Sequence, residues 1–492
     1  MNHLKITKHN SYFIMRYMTL KYITVVAVLC SSLYAKGQTL TLQDCVELAL
    51  EKNISIKQSE LDVANAEIDK KSTFGNFLPN INAQTSHSWN IGLNQNITTG
   101  LLEDVTTQFS SIGVNMGVDI YNGLQNVKRL HRANLAIIAQ QYNLADIAQN
   151  TSILVANSYL QVMFNREQLM VQKSQLAVSI EELKRTKTLI EAGVLTIRDV
   201  YELEATIASQ EQAVIQAENS LRLTKINLAQ LLLITDYENF DIAVETFDVP
   251  FPQILEKTPK AIYEEALTHR NDIKLSVTNL EISKADIEIA KTGLQPSLSA
   301  FYSYSTRLSY SDRLTGTGVF DDVPIGTVAT TGQEVIRSIE QTRVIGPQAL
   351  STQFRMNDGH NFGVQLSIPI LNGFAAKNNV KRSKVNLMRS ENQFEQQKLN
   401  LETTVNQAYN DAKGAYNFYK AAQKTVIARN DAYDDAIKRF DAGVMNSFEF
   451  TQIKQRYETS VSDELRAKYD YIFKLKVSFS FIYSLLVLIL LQ

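Results

Sequence analysis

The sequence predicts an α+β membrane protein with an internal twofold repeat, and three observations carry that expectation. One stretch occurs twice, as GVNMGVDIYNG from Gly113 to Gly123 and as GVQLSIPILNG from Gly363 to Gly373. The copies agree at Gly113/Gly363, Val114/Val364, Ile120/Ile370, Asn122/Asn372 and Gly123/Gly373. Each copy also alternates strictly. Ile112, Val114, Met116, Val118 and Ile120 oppose Ser111, Gly113, Asn115, Gly117 and Asp119, and Phe362, Val364, Leu366, Ile368 and Ile370 oppose Asn361, Gly363, Gln365, Ser367 and Pro369. Period-2 alternation places the two sets on opposite faces of a sheet, one apolar and one small and polar. Such a sheet suits lipid or a core on one side and water on the other. Finally, each Asn-Gly pair opens a helical pattern of extreme length. Between Gly123 and about Ile190 there is no proline and no further glycine, which predicts a helix of roughly 100 Å.

The N-terminus reads as an export signal over residues 1–37. Lys5, Lys8, Arg16 and Lys21 precede an apolar run from Ile23 to Leu33, and Ala35-Lys36-Gly37 offers small residues for cleavage before Gln38. Met15 offers a second start, and an uncleaved membrane anchor is the competing reading. The formal net charge of −2 becomes more negative once the signal and its cations are removed, so nothing argues for nucleic acid. Cys30 falls inside the signal behind Leu29, which argues against lipidation. Cys45 is then the only mature cysteine, expected as a small buried apolar residue.

A first repeat is expected over residues 38–235. Residues 41–72 read as a helix, with Thr41 and Asp44 as its cap. A break at Gly75 and Pro79 leads into a polar alternating strand from Asn80 that holds Trp89, the only tryptophan. Residues 94–107 read as a polar turn, and the strand from Ser111 follows. The long helix stops at Ala192-Gly193-Val194, where glycine suits a left-handed cap, and a helix returns from Ile197 to Leu233. Residues 236–260 form a linker marked by Asp236, Pro250, Pro252 and Pro259, with a short strand at 240–244.

A second repeat is expected over residues 261–476. Its helix spans 261–291. In its first strand Leu298, Ala300, Tyr302 and Tyr304 alternate with Ser297, Ser299, Phe301 and Ser303. A Gly- and Thr-rich insert over 309–358 reads as a mobile loop. The second long helix stops at Ala442-Gly443-Val444, and a helix returns from Phe448 to about Lys476. Residues 477–492 form an uncharged apolar tail, slightly short for a transmembrane helix. A frameshift and a hydrophobic belt segment are the two readings of it. Four strands cannot close a barrel, and open edges cannot stand in a bilayer. The chain must therefore associate, and cyclic symmetry is the usual solution.

At this point the chain resembles the outer membrane efflux protein family, the TolC-like channel-tunnels. The resemblance covers nearly all of the mature chain to about Lys476 and rests on the twofold order of elements, the two NG corners and the two AGV stops. It implies a trimer whose four strands per chain make a 12-stranded β-barrel in the outer membrane, continued by a long α-helical barrel across the periplasm. The AGV stops become periplasmic tips that meet an adaptor protein joined to an inner membrane transporter. The linker becomes part of an equatorial belt. Gly193, Val194, Gly443 and Val444 are then adaptor-docking residues; a second reading is that the valines staple each turn to its own hairpin. Val114, Met116, Val118, Val364, Leu366 and Ile368 face outer membrane lipid. The family carries acidic gate residues near the second tip. Their positions here hold Glu449 and Gln452, with Asp199 and Glu202 in the first repeat. The second position is not acidic, which departs from the pattern. A second reading of all four is ordinary helix-start residues favoured by the helix dipole.

No catalytic constellation is present. His3, His9, His87, His131, His269 and His360 do not pair at metal-binding spacing, no phosphate-binding glycine loop occurs, and no cofactor is expected. The expected function is an outer membrane exit duct for efflux or type I secretion. A monomeric porin would need many more strands. A periplasmic or surface coiled-coil protein without channel activity would not need the alternating strands.

Overall fold

The computed structural model describes residues 39–95, 100–104, 106–191, 193, 196–244 and 253–482. The export signal, Val194, residues 245–252 of the linker and residues 483–492 of the tail lie outside them. The described elements run α1 (Leu42–Lys52), α2 (Ile54–Gly75), β1 (Asn80–Asn90), β2 (Leu93–Gln95), β3 (Leu102–Asp104), β4 (Thr107–Tyr121), α3 (Gln125–Glu191) and α4 (Ile197–Leu231). After a 3-10 turn at Gln253–Glu256 come α5 (Pro259–His269), α6 (Asn271–Thr292), β5 (Ser297–Ser309), β6 (Arg313–Thr327), β7 (Glu334–Ile345), α7 (Leu350–Met356), β8 (Gly359–Ser367), α8 (Ala375–Asp441) and α9 (Ser447–Ile482). Helices α3 and α8 are both 67 residues long, far beyond the globular average.

The chain forms two compact units, and each draws on both halves of the sequence. A helical unit comprises Met1–Asn65, Ala136–Leu280 and Ser390–Gln492, and a strand unit comprises Ala66–Leu135 and Glu281–Arg389.

In the helical unit the short helices α1 and α5 pack against the long ones. Leu42, Cys45, Val46 and Ala49 of α1 join Val155, Tyr159 and Met163 of α3 and Leu228 and Leu232 of α4 in one buried cluster. Ile262 and Ala266 of α5 join Leu401, Val405 and Tyr419 of α8 in another. Helix α9 serves both. Leu465 and Tyr469 face the first cluster, and Ala467, Tyr471 and Leu475 face the second, as helical spacing allows. Thr41 and Asp44 form the expected capping box.

Several expectations change. The helix read over 41–72 is broken at Asn53, which turns extended while its Oδ1 accepts from the Ser55 and Ile56 amides at 2.8 and 3.4 Å. The helix read over 261–291 is broken at Arg270, also extended, with its guanidinium on Asp272. Neither break carries glycine or proline, so composition did not mark it. The strand expected at 240–244 is a single parallel bridge between Leu40 and Ile242. Helix α9 runs past Lys476 into the apolar tail.

In the strand unit the sheet order is β1-β4-β5-β8, antiparallel throughout. The turn expected over 94–107 contains the small β2–β3 pair. The insert over 309–358 is not a loop but the long antiparallel hairpin β6–β7 followed by α7. Its β-branched residues alternate too irregularly for the period to stand out.

Candidate functional site

The first part of the site is the sheet of the strand unit. Its register carries one row of residues across all four strands. Ile81 pairs with Met116, Met116 with Tyr302, and Tyr302 with Phe362. The adjacent row on the opposite face is Asn82, Asn115, Ser303 and Asn361. Paired residues share a face, so the sheet is apolar on one side and polar on the other. Val114, Met116, Val118, Val364 and Leu366 all lie on the apolar side, as the alternation predicted. Three positions depart from it. Ile120 occupies a register shift between Asp119 and Tyr121, so Tyr121 rather than Ile120 pairs with Leu298. Ile368 and Ile370 lie past the end of β8, where Pro369 cannot donate to a ladder.

The apolar face changes character along its length. Near the helices it is aliphatic, with Val118, Val364, Leu298 and Leu366. Toward the loops it turns aromatic. His87 packs edge-on against Trp89 with ring centres 4.2 Å apart and bonds Ser110 through Nδ1 at 2.7 Å. The Tyr302 hydroxyl and His360 Nδ1 are 2.8 Å apart, and Tyr304 packs on the same imidazole. Rings with one apolar body and one polar tip belong where hydrocarbon meets water. The outer edges of β1 and β8 have no strand beside them among the described residues.

Two corners lead from strand to helix. Gly123 and Gly373 have φ of 67° and 59°, each followed by a left-handed residue, Leu124 or Phe374. Glycine is favoured at such a φ because a Cβ is strained there. At Gly123 a Cβ would also stand 2.9 Å from Gln295 Oε1 and 3.2 Å from Thr292 Cβ, so the corner is closely packed. At Gly373 nothing lies within 4 Å.

The second part of the site is the pair of helical turns in the helical unit. Gly193 and Gly443 take φ of 77° and 72°, the left-handed conformation expected at these stops. At the second turn the Gly443 amide bonds Phe440 O and the Val444 amide bonds Arg439 O, both at 3.0 Å, which satisfies carbonyls at the end of α8. Val444 is 69% exposed, whereas Met445 is 6% exposed and packs with Ala436 and Phe450. Met445, not Val444, therefore fastens the turn. Sequence reading passed over it because burial at a turn depends on which way one side chain leans.

The four gate candidates differ in engagement. Asp199 closes a capping box with Thr196, its carboxylate 2.8 Å from the hydroxyl. Glu202 and Glu449 are exposed, and the Glu449 amide is capped by Asn446 at 2.8 Å. Gln452 lines a groove between α8 and α9 with Phe418, Thr425 and Arg456. Among the described residues no hydrogen bond or ion pair joins any two of the four.

Sequence reading missed one further feature. Lys454 of α9 is 4% exposed. Its ammonium lies 2.9 Å from Ser179 Oγ and 2.5 Å from Glu182 of α3, and 4.0 Å from Glu458 one helical turn on. Burial raises the Glu458 carboxyl above its ordinary range while Lys454 opposes the shift. Burial, reinforced by Glu182 and Glu458, pushes the neighbouring Tyr433 of α8 up to about 12. A charge buried this deeply needs its partners, so the group ties α9 to α3. Its signal in the sequence was one lysine among many. Among the described residues no group of three His, Cys, Asp or Glu could hold a metal ion, and no helix is long and apolar enough to cross a membrane.

The family model for outer membrane efflux proteins matches residues 45–232 and 262–474. The pyoverdine export outer membrane protein OpmQ of Pseudomonas aeruginosa is 28% identical over 205 residues, covering 41% of this chain and 42% of that protein. The matched stretch thus spans less than half of that relative. The outer membrane protein TolC of Vibrio cholerae is 20% identical over 362 residues, or 74% of each chain. Among solved structures, the outer membrane protein VceC of Vibrio cholerae superposes with a TM-score of 0.69 at 12% identity, covering 90% of this chain and 96% of that one. At that identity the likeness speaks for the fold.

Proposed function

The chain belongs to the outer membrane efflux protein family, and from that membership we propose that three copies form the exit duct of an export assembly. The protein resides in the outer membrane and serves efflux. In this reading four strands per chain complete a 12-stranded barrel, and the two halves of the chain act as a structural repeat whose long helices continue the duct. Substrate enters from an inner membrane transporter through a periplasmic adaptor and leaves at the exterior. The duct performs no chemistry of its own.

One observation carries the proposal. The sheet β1-β4-β5-β8 is apolar on one face, polar on the other and, among the described residues, open at both outer edges. In a bilayer such edges leave backbone groups unsatisfied at several kcal/mol each, so the sheet requires further copies beside it. The polar face would line the lumen and the apolar face would meet lipid. Gly193, Val194, Gly443 and Val444 would dock the adaptor, with exposed Val444 as the contact the second turn offers. Asp199, Glu202, Glu449 and Gln452 would surround the periplasmic aperture.

The deciding experiment is conductance of the purified protein in planar bilayers, with the oligomer mass measured from the same preparation. A trimer that opens ion-conducting channels is expected. A membrane-free coiled-coil protein would fractionate with soluble material and conduct nothing, and that result overturns the proposal.

A further inference from the structure

Among the described residues the hairpin β6–β7 forms a sheet only with itself, and its own chain leaves it as bare as the edge strands β1 and β8. Every residue of β6 except Thr315, and every residue of β7 except Ile345, is exposed. Large apolar side chains stand open on it, among them Phe320, Val323, Ile336, Ile339 and Val344. An isolated two-stranded hairpin is at best marginally stable in water, and a contiguous exposed apolar surface marks a contact.

The register sorts the charges by face. Strand β6 absorbs both register shifts, and β7 runs regularly opposite it, so alternate residues of β7 share a face. Glu334, Ile336, Glu340 and Val344 lie on one side, joined by Phe320 and Asp322, which pair with Glu340 and Ser338. Arg337, Ile339 and Arg343 lie on the other, joined by Arg313, Val323 and Asp321, which pair with Ile345, Arg337 and Ile339. One face is thus apolar and acidic. The other is apolar and basic, with three arginines against one acid, Asp321, which accepts from Gln341 Nε2 at 2.8 Å much as Glu340 on the first face accepts from the Gly318 amide at 2.9 Å. None of the three arginines makes an ion pair among the described residues.

We propose that the acidic face of each β6–β7 hairpin packs on the basic face of the same hairpin in the next copy, so that three hairpins form a closed crown. The inference rests on the trimeric reading above. Two unlike faces on one element make a head-to-tail contact, and such a contact closes only in a ring. The hairpin is rooted between β5 and β8, which are neighbours in the sheet that the copies must complete. Opposite charges across the contact fix its register and exclude like-face pairing.

The test mixes two kinds of chain in one cell, one carrying Ile336→Cys on the acidic face and the other Ile339→Cys on the basic face. Both substitutions keep every charge. Cys45, the cysteine among the described residues, is buried and does not compete. A short bismaleimide is applied to purified assemblies whose mass is measured in parallel. Covalent dimers are expected in the mixed assemblies and not in assemblies of either chain alone. Adding Arg337→Glu and Arg343→Glu to the Ile339→Cys chain should remove most of the dimer. Trimers that yield no covalent dimer overturn the crown and leave the duct standing. Equal dimer from Ile336→Cys chains alone also overturns it, because like faces would then meet. Absence of trimers overturns both readings.

Discussion

The two strand-to-helix corners share a backbone and differ in surroundings. Gly123 and Gly373 have nearly the same φ and each precedes a left-handed residue and a helix of 67 residues. The first corner is filled by Thr292 and Gln295 of the second half of the chain, and Tyr121 adds a bond to the same glutamine at 2.8 Å. The second corner meets nothing. The groups that correspond to Thr292 and Gln295 in the first half are Gly75 and Leu78. A Cβ at Gly75 would also meet nothing, and Leu78 is exposed. In the proposed trimer these two complementary open surfaces would meet across neighbouring copies. The helical unit shows the opposite case. There α9, from the second half, is held within the chain by Lys454 and α3.

The largest expected effect is at that internal contact. Lys454→Met leaves Glu182 and Glu458 buried without their cation, at about 3–5 kcal/mol, and should lower the thermal midpoint followed by circular dichroism. Adding Glu458→Gln should recover part of the loss. An unchanged midpoint would mean that α9 is not held by this group.

Next come the two halves of the sheet. Val118 is half-buried in the single chain and Leu366 is 60% exposed. If assembly makes the halves equivalent, Val118→Arg and Leu366→Arg should impair membrane insertion alike, by roughly 2–4 kcal/mol near the bilayer centre. Asn115→Arg, on the polar face, should be milder. Equal damage from Asn115→Arg and Val118→Arg would refute the assignment of faces.

The corners themselves are tested by Gly123→Ala and Gly373→Ala. Positive φ alone costs alanine about 1 kcal/mol, and Gly123→Ala must also displace Thr292 and Gln295. In isolated subunits Gly123→Ala should therefore be the worse of the two. In the trimer, measured by resistance to thermal dissociation, the gap should close as Gly373 acquires neighbours. A gap that persists there would show that the second corner stays empty.

The smallest effect on stability, with the sharpest effect on function, is expected at the turns. Val444→Asp combined with Val194→Asp should leave folded, inserted trimers that no longer capture the adaptor in a pull-down. Met445→Asp, one residue along, should instead disrupt the turn, because it places a charge in the cluster with Phe450. Normal capture by the valine double variant would remove the docking role.

Local rules were enough to read the alternation of β4, β5 and β8, the two NG corners, the two glycine stops and the extent of the long helices. Each depends on a period of two, a period near 3.6 or a left-handed backbone, all of which neighbouring residues impose. The breaks at Asn53 and Arg270 escaped, because neither carries glycine or proline: Asn53 accepts from the backbone just beyond it, and Arg270 pairs with the Asp272 side chain. The register shift at Ile120 escaped as well, since an extra residue in one strand is visible only against its partner. Only the folded structure decided that Met445 and not Val444 closes the second turn, that Asp199 is engaged in a cap while Glu449 is not, and that Lys454 is buried. The first two depend on which nearby side chain leans into place, Ala436 and Phe450 around Met445 and Thr196 beside Asp199. The third depends on Ser179 and Glu182, which lie 275 and 272 positions away and only the tertiary structure brings beside Lys454.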